Sequence, residues 1–185
     1  MDLALSPPCA VAHDSLRALR LGVRNSKVAD AATLVSLHNE GLERPGEMIA
    51  EEAAAHWIVA HHRAARPLWL AMSRGVPIGW LSFLGFADRP GCATTAELGI
   101  LVRASWRRHG VARQLVERAF VAAPALGLDR LIACIREDNG PSLALFRSMG
   151  FQSWGRLPGV IRAPDVHCDL HMLGREIPAP KLWYV

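Results

Sequence analysis

The sequence predicts an α/β domain whose mixed central sheet is flanked by helices. Three observations carry that prediction. Residues 98–102 (Leu98, Gly99, Ile100, Leu101, Val102) read as a buried strand, and behind them Val111, Ala112, Leu115, Val116, Ala119 and Phe120 recur at helical spacing, with Arg113, Gln114, Glu117 and Arg118 on the other face. A second strand–turn–helix unit spans residues 131–150. Between residues 68 and 86 the pattern changes to that of strands around the turn Arg74-Gly75.

Taken in order, residues 1–20 contain Pro7 and Pro8 and no sustained periodicity, and read as an irregular extension. A first strand begins at residues 21–23. Ser26 or Asp30 is a candidate cap for a helix carrying Ala31, Leu34, Val35, Leu37 and His38. Pro45-Gly46 breaks the chain before an alanine-rich helix over about residues 50–65. Trp57 reads as core there, His56, His61 and His62 as its solvated face, and Pro67 as its stop. Residues 68–72 and 78–86 read as strands, 89–91 as a loop and 95–102 as the next strand. The helix opening at Val111 ends between Pro124 and Gly127. Residues 131–135 read as another buried strand. Asn139-Gly140-Pro141-Ser142 then suits a helix start, since Pro is tolerated at the first helical positions and Asn or Gly caps. Leu143, Ala144, Phe146 and Met149 supply that helix's buried side and Gly150 its C-terminal stop. Strands over about 152–157 and 166–173 close the domain. The expected order is β-α-α-β-β-β-α-β-α-β-β: one domain over residues 21–177, between an irregular start and a proline-rich tail over 178–185.

Composition narrows the function classes. Hydrophobic residues make up 51% and charged ones 21% of the 185, which excludes general disorder. A net charge of +4, from 21 basic against 17 acidic residues, suits a polyanionic small ligand as readily as a nucleic acid. No basic block runs along the chain, and lysine occurs only at Lys27 and Lys181, so no nucleic-acid partner is expected. The cysteines Cys9, Cys92, Cys134 and Cys168 form no C-x-x-C pair, disulfide framework or zinc pattern. Cys134, within an apolar run, reads as a packed core thiol. No apolar stretch has the length of a membrane span and no signal peptide is evident, so a cytoplasmic setting without a membrane partner is expected.

The run Arg107-Arg108-His109-Gly110-Val111-Ala112 is the most informative segment. The first N–H groups of a helix have no intrahelical partner, and the helix dipole favours negative charge beside them. Gly110 lets backbone approach a phosphate, small Ala112 keeps the helix start open, and Arg107 and Arg108 add charge-assisted donors. Neither a Walker A loop nor a G-x-G-x-x-G turn is present. Glu97 lies in an otherwise apolar strand, where burial raises a carboxyl's proton affinity toward that of a general base. The other reading of Glu97 is an edge-strand carboxylate in a salt bridge. Pleating sets Glu97, Gly99 and Leu101 on one face and Leu98, Ile100 and Val102 on the other.

Arg107-x-x-Gly110-x-Ala112 resembles the [QR]-x-x-G-x-[GA] signature of the GNAT acyl-CoA N-acyltransferases. Downstream, the block Asn139 to Phe151 resembles their N-x-x-S-x-x-L-[YFH]-x-x-x-G-F signature. Within that superfamily the chain is similar to the phosphinothricin and methionine sulfoximine acetyltransferases. Thr95-Ala96-Glu97 ahead of Ile100-Leu101-Val102 carries that likeness, with Gly79-Trp80-Leu81-Ser82, Phe86-x-x-Arg89-Pro90, Asn39, Gly155-Arg156-Leu157 and Asp169. The resemblance implies the GNAT fold, with a mostly antiparallel sheet, acetyl-CoA as co-substrate and no metal. It also implies a homodimer, and direct acetyl transfer to the primary amine of a small amino-acid-like substrate. Glu97 would be the base, acting through water. Ile100, Val102, Arg107, Arg108, His109, Gly110, Val111, Ala112, Asn139, Ser142 and Phe146 would hold the pantetheine arm and pyrophosphate. Two residues depart from the pattern: Phe146 stands where many relatives carry a tyrosine acid, and His167 where an aromatic shapes the acceptor pocket. Alternatives are another acceptor (an aminoglycoside, a polyamine or a protein N-terminus) or a CoA-binding sensor without catalysis.

Overall fold

The computed structural model describes residues 21–41, 48–87, 90–163 and 166–178. Along the chain run β1 (Gly22–Asn25), α1 (Ala31–Gly41), α2 (Glu51–Arg63), β2 (Leu68–Ser73), β3 (Val76–Gly85), β4 (Thr95–Val102), α3 (Val111–Ala122), β5 (Arg130–Arg136), α4 (Gly140–Ser148), β6 (Gln152–Ala163) and β7 (Val166–Glu176). Element type and order agree with the sequence reading. The seven strands form one sheet in the order β1-β2-β3-β4-β5-β7-β6. All neighbours are antiparallel except β4 and β5, which run parallel and are joined through α3.

Strand alternation divides the apolar side chains between two layers. Ala71, Leu81, Phe83, Ala96, Leu98, Leu131, Ala133, Ile135 and Leu173 pack on one face with Val111, Leu115, Val116 and Ala119 of α3 and Leu143, Phe146 and Met149 of α4. Leu68, Leu70 and Trp80 pack on the other face with Leu34 and Leu37 of α1 and Ala54 and Ile58 of α2. Glu97 and Gly99 share this second face, as the period-two reading requires.

The termini of the elements have local causes. Asp30 does not cap α1 from its N-cap position. It ends a short 3-10 turn, and its carboxylate accepts the Lys27 N–H at 2.7 Å and a two-pronged pair from Arg24. Ser26 is no cap either, because it is buried and its N–H and carbonyl bond Leu68 and His62. α4 begins as read, with Asn139 Oδ1 accepting the Ser142 N–H at 3.1 Å. Its end is a Schellman turn: Gly150 (φ +84°) donates to Arg147, Phe151 donates to Phe146, and the two Phe rings meet edge-on at 4.9 Å.

Three further sequence expectations are corrected. His61 is not on a solvated face: it is 4% exposed, and its Nδ1 bonds the Arg66 carbonyl. β6 and β7 extend beyond the expected 157 and 173, because a bulge absorbs Pro158 and Gly159 while Asp169 accepts the Gly159 N–H. Phe146 is 1% exposed and belongs to the α3/α4-side core, so it presents no free surface to a cofactor. The expectations for residues 1–20, Pro45-Gly46, Arg89 and 179–185 fall outside the described residues.

Candidate active site

β4 and β5 pair only at Thr95↔Arg130, Ala96↔Leu131 and Glu97↔Ile132, after which the pairing stops. β4 runs on to Val102, held on its far side by β3, and β5 runs on to Arg136, held by β7. The two parallel strands therefore part immediately after Glu97. This leaves the β5-facing backbone edge of residues 98–102 without a strand partner among the described residues. Buried backbone groups normally find partners, so an open edge between two helix-bearing strands is a place for an extended, amide-containing ligand. Ile100 and Val102 lie along that edge, half-buried against the α3/α4-side core.

α3 and α4 both begin where these strands end. The α3 start has the geometry of an anion site. Gly110 is its N-cap in a left-handed conformation (φ +77°), provides no side-chain cap, and is followed by a first turn without an acid. The Gln114 N–H is the first to reach back, to Gly110 O at 3.1 Å, so the N–H groups of Val111, Ala112 and Arg113 lack helical acceptors. Arg107, Arg108 and His109 stand exposed just ahead of them. Cations at a helix's positive end disfavour it by about 0.3–1 kcal/mol each, which a bound anion reverses. A residue carrying a side chain, Arg108, is also held at φ 65°, the kind of backbone strain that collects at binding loops.

The loop is anchored on three sides. Arg107 Nε donates to Val102 O at 3.3 Å, His109 Nδ1 bonds Arg107 O at 2.8 Å, and Arg103 pairs with Glu40 of α1 at 2.9 Å. Asn139 and Ser142 lie at the start of α4, where their mutual bond fixes the turn. The 107–112 loop is thus tied to the end of β4 through Arg107 and Val102, while Asn139 and Ser142 stand at the α4 start that follows β5. Phe146 is set apart in the core.

Glu97 stands in the last β4–β5 pair, where the two strands begin to part. β4 is an interior strand, so the edge-strand reading does not hold, and no cation lies within ion-pair distance of Glu97 among the described residues. Burial pushes its carboxyl above the ordinary range, an effect the nearby Cys134 thiol partly opposes. Cys134, read from sequence as a packed thiol, is half-buried beside Glu97 rather than part of either core cluster. Along β5, Leu131, Ala133 and Ile135 face the α3/α4-side core, and Cys134 takes the Glu97 face together with buried Ile132.

Nearby, Ser82 and Trp80 are buried, and their Oγ and Nε1 have no hydrogen-bond partner among the described residues. A Cβ at Gly99 would fall 2.6 Å from Ser82 Oγ, so only glycine fits there. His38 stacks on Trp80 at 6.1 Å. Asn39 fixes the other wall by exchanging two hydrogen bonds with the Ile49 backbone, at 3.0 and 3.1 Å. No group of three metal-ligating side chains occurs among the described residues. A separate groove of about 460 Å³, lined by His61, Arg66, Trp69 and Leu126, holds none of these residues.

A splayed parallel pair with a basic, uncapped helix start thus offers an open strand edge and an anion-binding helix end. The chain belongs to the GNAT acetyltransferase family, which it matches over residues 32–151, and it is therefore an N-acetyltransferase. It is 37% identical over 132 residues (71% of this chain, 80% of the relative) to YwnH of Bacillus subtilis strain 168, provisionally named a phosphinothricin acetyltransferase. It is 27% identical over 147 residues (75% and 84%) to the L-methionine sulfoximine/L-methionine sulfone acetyltransferase of Pseudomonas paraeruginosa strain DSM 24068 / PA7. A crystal structure provisionally described as a phosphinothricin N-acetyltransferase superposes with a TM-score of 0.79 at 33% identity, covering 85% of this chain and 99% of that one. The fold is also that of the Sinorhizobium meliloti phosphinothricin acetyltransferase solved with acetyl-CoA (TM-score 0.78, 21% identity, 85% and 88% covered).

Proposed function

We propose that this enzyme moves the acetyl group of acetyl-CoA directly to the primary amine of a small amino-acid-like acceptor of the phosphinothricin or methionine sulfoximine type, with Glu97 as general base. The observation that carries this reading is the half-buried Glu97 carboxylate, raised by burial, at the point where β4 leaves β5. An amine must lose its proton before it attacks, and a carboxylate with raised proton affinity takes that proton more readily at neutral pH.

The residues present fit acetyl-CoA. The open β4 edge offers amide partners to a pantetheine arm along Ile100 and Val102. The N–H groups of Val111 and Ala112, with Gly110, Arg107, Arg108 and His109, offer donors and positive charge to a pyrophosphate. Asn139 and Ser142 of the α4 start would contact the same cofactor further along, their mutual bond fixing that turn. Bound there, acetyl-CoA supplies the activated acetyl group. The chain's part is to orient the amine against the Trp80–Ser82 wall, remove its proton through Glu97, and offer backbone dipoles to developing negative charge. No side chain is assigned as acid, because Phe146 cannot donate a proton.

The proposal includes a catalytic domain over residues 21–177 and a cytoplasmic setting, supported by the free thiols Cys92, Cys134 and Cys168. It also includes a homodimer, supported by exposed Trp154, Leu157 and Val160 on the edge strand β6. The test is thiol release from acetyl-CoA with a panel of amines that includes phosphinothricin, methionine sulfoximine, a polyamine and an aminoglycoside. Turnover confined to the amino-acid analogues is expected, and Glu97→Gln should lose most at neutral pH and least at high pH. Acetyl-CoA binding without turnover on any amine would favour the sensor reading. An equal loss in Glu97→Gln at every pH would remove the base.

A further inference from the structure

We propose that the groove between the C-terminal ends of α2 and α3 is a binding site for a small carboxylate with an apolar body, its charge met by the guanidinium of Arg66. His61 of α2 and Arg66 just past it line the groove, with Asn25 of β1, Trp69 of β2, Ala122 of α3 and Leu126 beyond it. Its volume of about 460 Å³ is that of a small-ligand pocket. Past Asn25, Trp69 and Ala122 it continues into a second hollow bordered by Arg24 and Arg118. α3 runs from the basic loop at Val111 to this groove at Ala122, so the two lie about 16 Å apart along its axis. The site is therefore distinct from the one proposed above for acetyl-CoA.

Charge selects an anion. Among the described residues no acidic side chain lines either hollow. Arg24 is paired with Asp30 at 2.7 Å, and Arg118 donates to the Leu21 carbonyl at 3.0 Å. Arg66 has no acidic partner among the described residues. Its Nη2 donates to the Ala93 carbonyl, while Nη1 is buried with no partner at all. Burial accordingly lowers the proton affinity of this guanidinium. A cation taken out of water without a counter-charge is costly, and a carboxylate that matches its planar fork recovers that cost. The backbone holds Arg66 in place. α2 ends in a Schellman turn with Ala65 at φ 52°, in which the Arg66 N–H donates to the His61 carbonyl at 3.0 Å. His61 Nδ1 returns a bond to the Arg66 carbonyl at 3.2 Å, and the ring's Nε2 is a second buried atom at this groove without a partner. The remaining walls, including Pro67, Trp69, Ala122 and Leu126, are apolar and suit a hydrocarbon body.

The experiment titrates the full chain, labelled with nitrogen-15 at its tryptophan indoles, with phenylpropanoate and with phenylpropanol, which has the same body and no charge. The Trp69 signal is assigned by its loss in Trp69→Phe. The acid is expected to shift Trp69 saturably and to bind about 10- to 100-fold more tightly than the alcohol, the worth of a charge-assisted pair. Arg66→Gln should remove that advantage while leaving the affinity of the alcohol unchanged, a difference that a merely structural loss would not produce. Ala125→Glu, on the exposed rim, adds a repelling charge without altering Arg66, and should weaken the acid alone by about 5-fold at low salt. Equal affinities of acid and alcohol for the wild type would overturn the proposal. So would a loss shared equally by both compounds in the two charge variants, or an acid that shifts other indoles and leaves Trp69 unmoved. None of these readouts needs acetyl-CoA or an acceptor amine, so they decide the groove whether or not Glu97 is the base.

Discussion

Replacing Gly110 by Ala and by Asp should push stability and acetyl-CoA affinity in opposite directions. Gly110 sits at φ +77°, and a Cβ there meets nothing within 4 Å, so neither substitution clashes. Both lose the conformational ease of glycine, about 1–2 kcal/mol for an L-residue in the left-handed region. Asp recovers part of that loss. It tolerates this region better than Ala, and as an N-cap beside the positive end of α3 it is worth about 1 kcal/mol over Ala. For a chain of this size that is a melting temperature about 2–4 °C higher for Asp than for Ala. Binding runs the other way. A carboxylate about 4 Å from a phosphate charge costs about 1 kcal/mol at the dielectric of water and about 4 kcal/mol at that of a protein surface. The Asp variant should therefore bind acetyl-CoA about 5- to 800-fold more weakly than the Ala variant. The gap should narrow as salt rises, because the loop is exposed. Thermal melts and titration calorimetry at two ionic strengths read both quantities. Equal affinities for the Ala and Asp variants would refute the loop as a pyrophosphate site, whatever the melts show.

Two further predictions concern the frame. Gly150→Ala should cost about 1 kcal/mol, because the Schellman turn holds φ +84° and Arg175 stays at ordinary contact distance, whereas Phe146→Ala should cost about 3–5 kcal/mol by opening a cavity against Phe151; denaturant melts separate them, and equal losses would contradict the packing described. Burial lowers the His61 pKa, so on acidification the unfolded chain takes up this proton before the folded one does. Stability should be fully present above the unfolded value near 6.5 and fall as the pH drops from there toward the folded value. His61→Gln should flatten that part of the stability–pH curve, and an unchanged slope would show that His61 does not set it.

What could be read from the sequence followed a physical division. Elements with a strong period, such as β4 and α3, were legible because burial of one face dictates their spacing. The α4 boundaries were legible because Asn139 and Gly150 act within their own turn. His61 was not, because the helix period alone does not say which of two adjacent histidines turns inward, and its Arg66 carbonyl partner appears only once α2 has ended. Strand β6 was cut short at Pro158, since proline and glycine ordinarily end strands, and the compensating carboxylate, Asp169, comes from β7. The placement of Cys134 on the Glu97 face was hidden for the same reason. It depends on the parallel register of two strands separated by α3, which no local pattern encodes.

That register also explains why the chemistry lies where the core allows it. A one-residue slip of β4 would turn Ala96 and Leu98 away from α3 and α4 and drive Glu97 into the core. The same slip in β5 would exchange Cys134 for Ala133, which packs in that core with 1% exposure. Burying an unpaired carboxylate costs several kcal/mol, so apolar packing beneath α3 and α4 selects the one register that sets Glu97 and Cys134 on the opposite face. The helices that impose the register also begin at the ends of these strands, and the α3 start carries the basic loop. Core packing thus sets Glu97 and Cys134 on the face opposite α3 and α4, while the α3 start leaves its first N–H groups without helical acceptors. A core substitution that loosens the register, at Leu98 or Ala133 for example, would on this reasoning lower turnover beyond what its loss of stability explains.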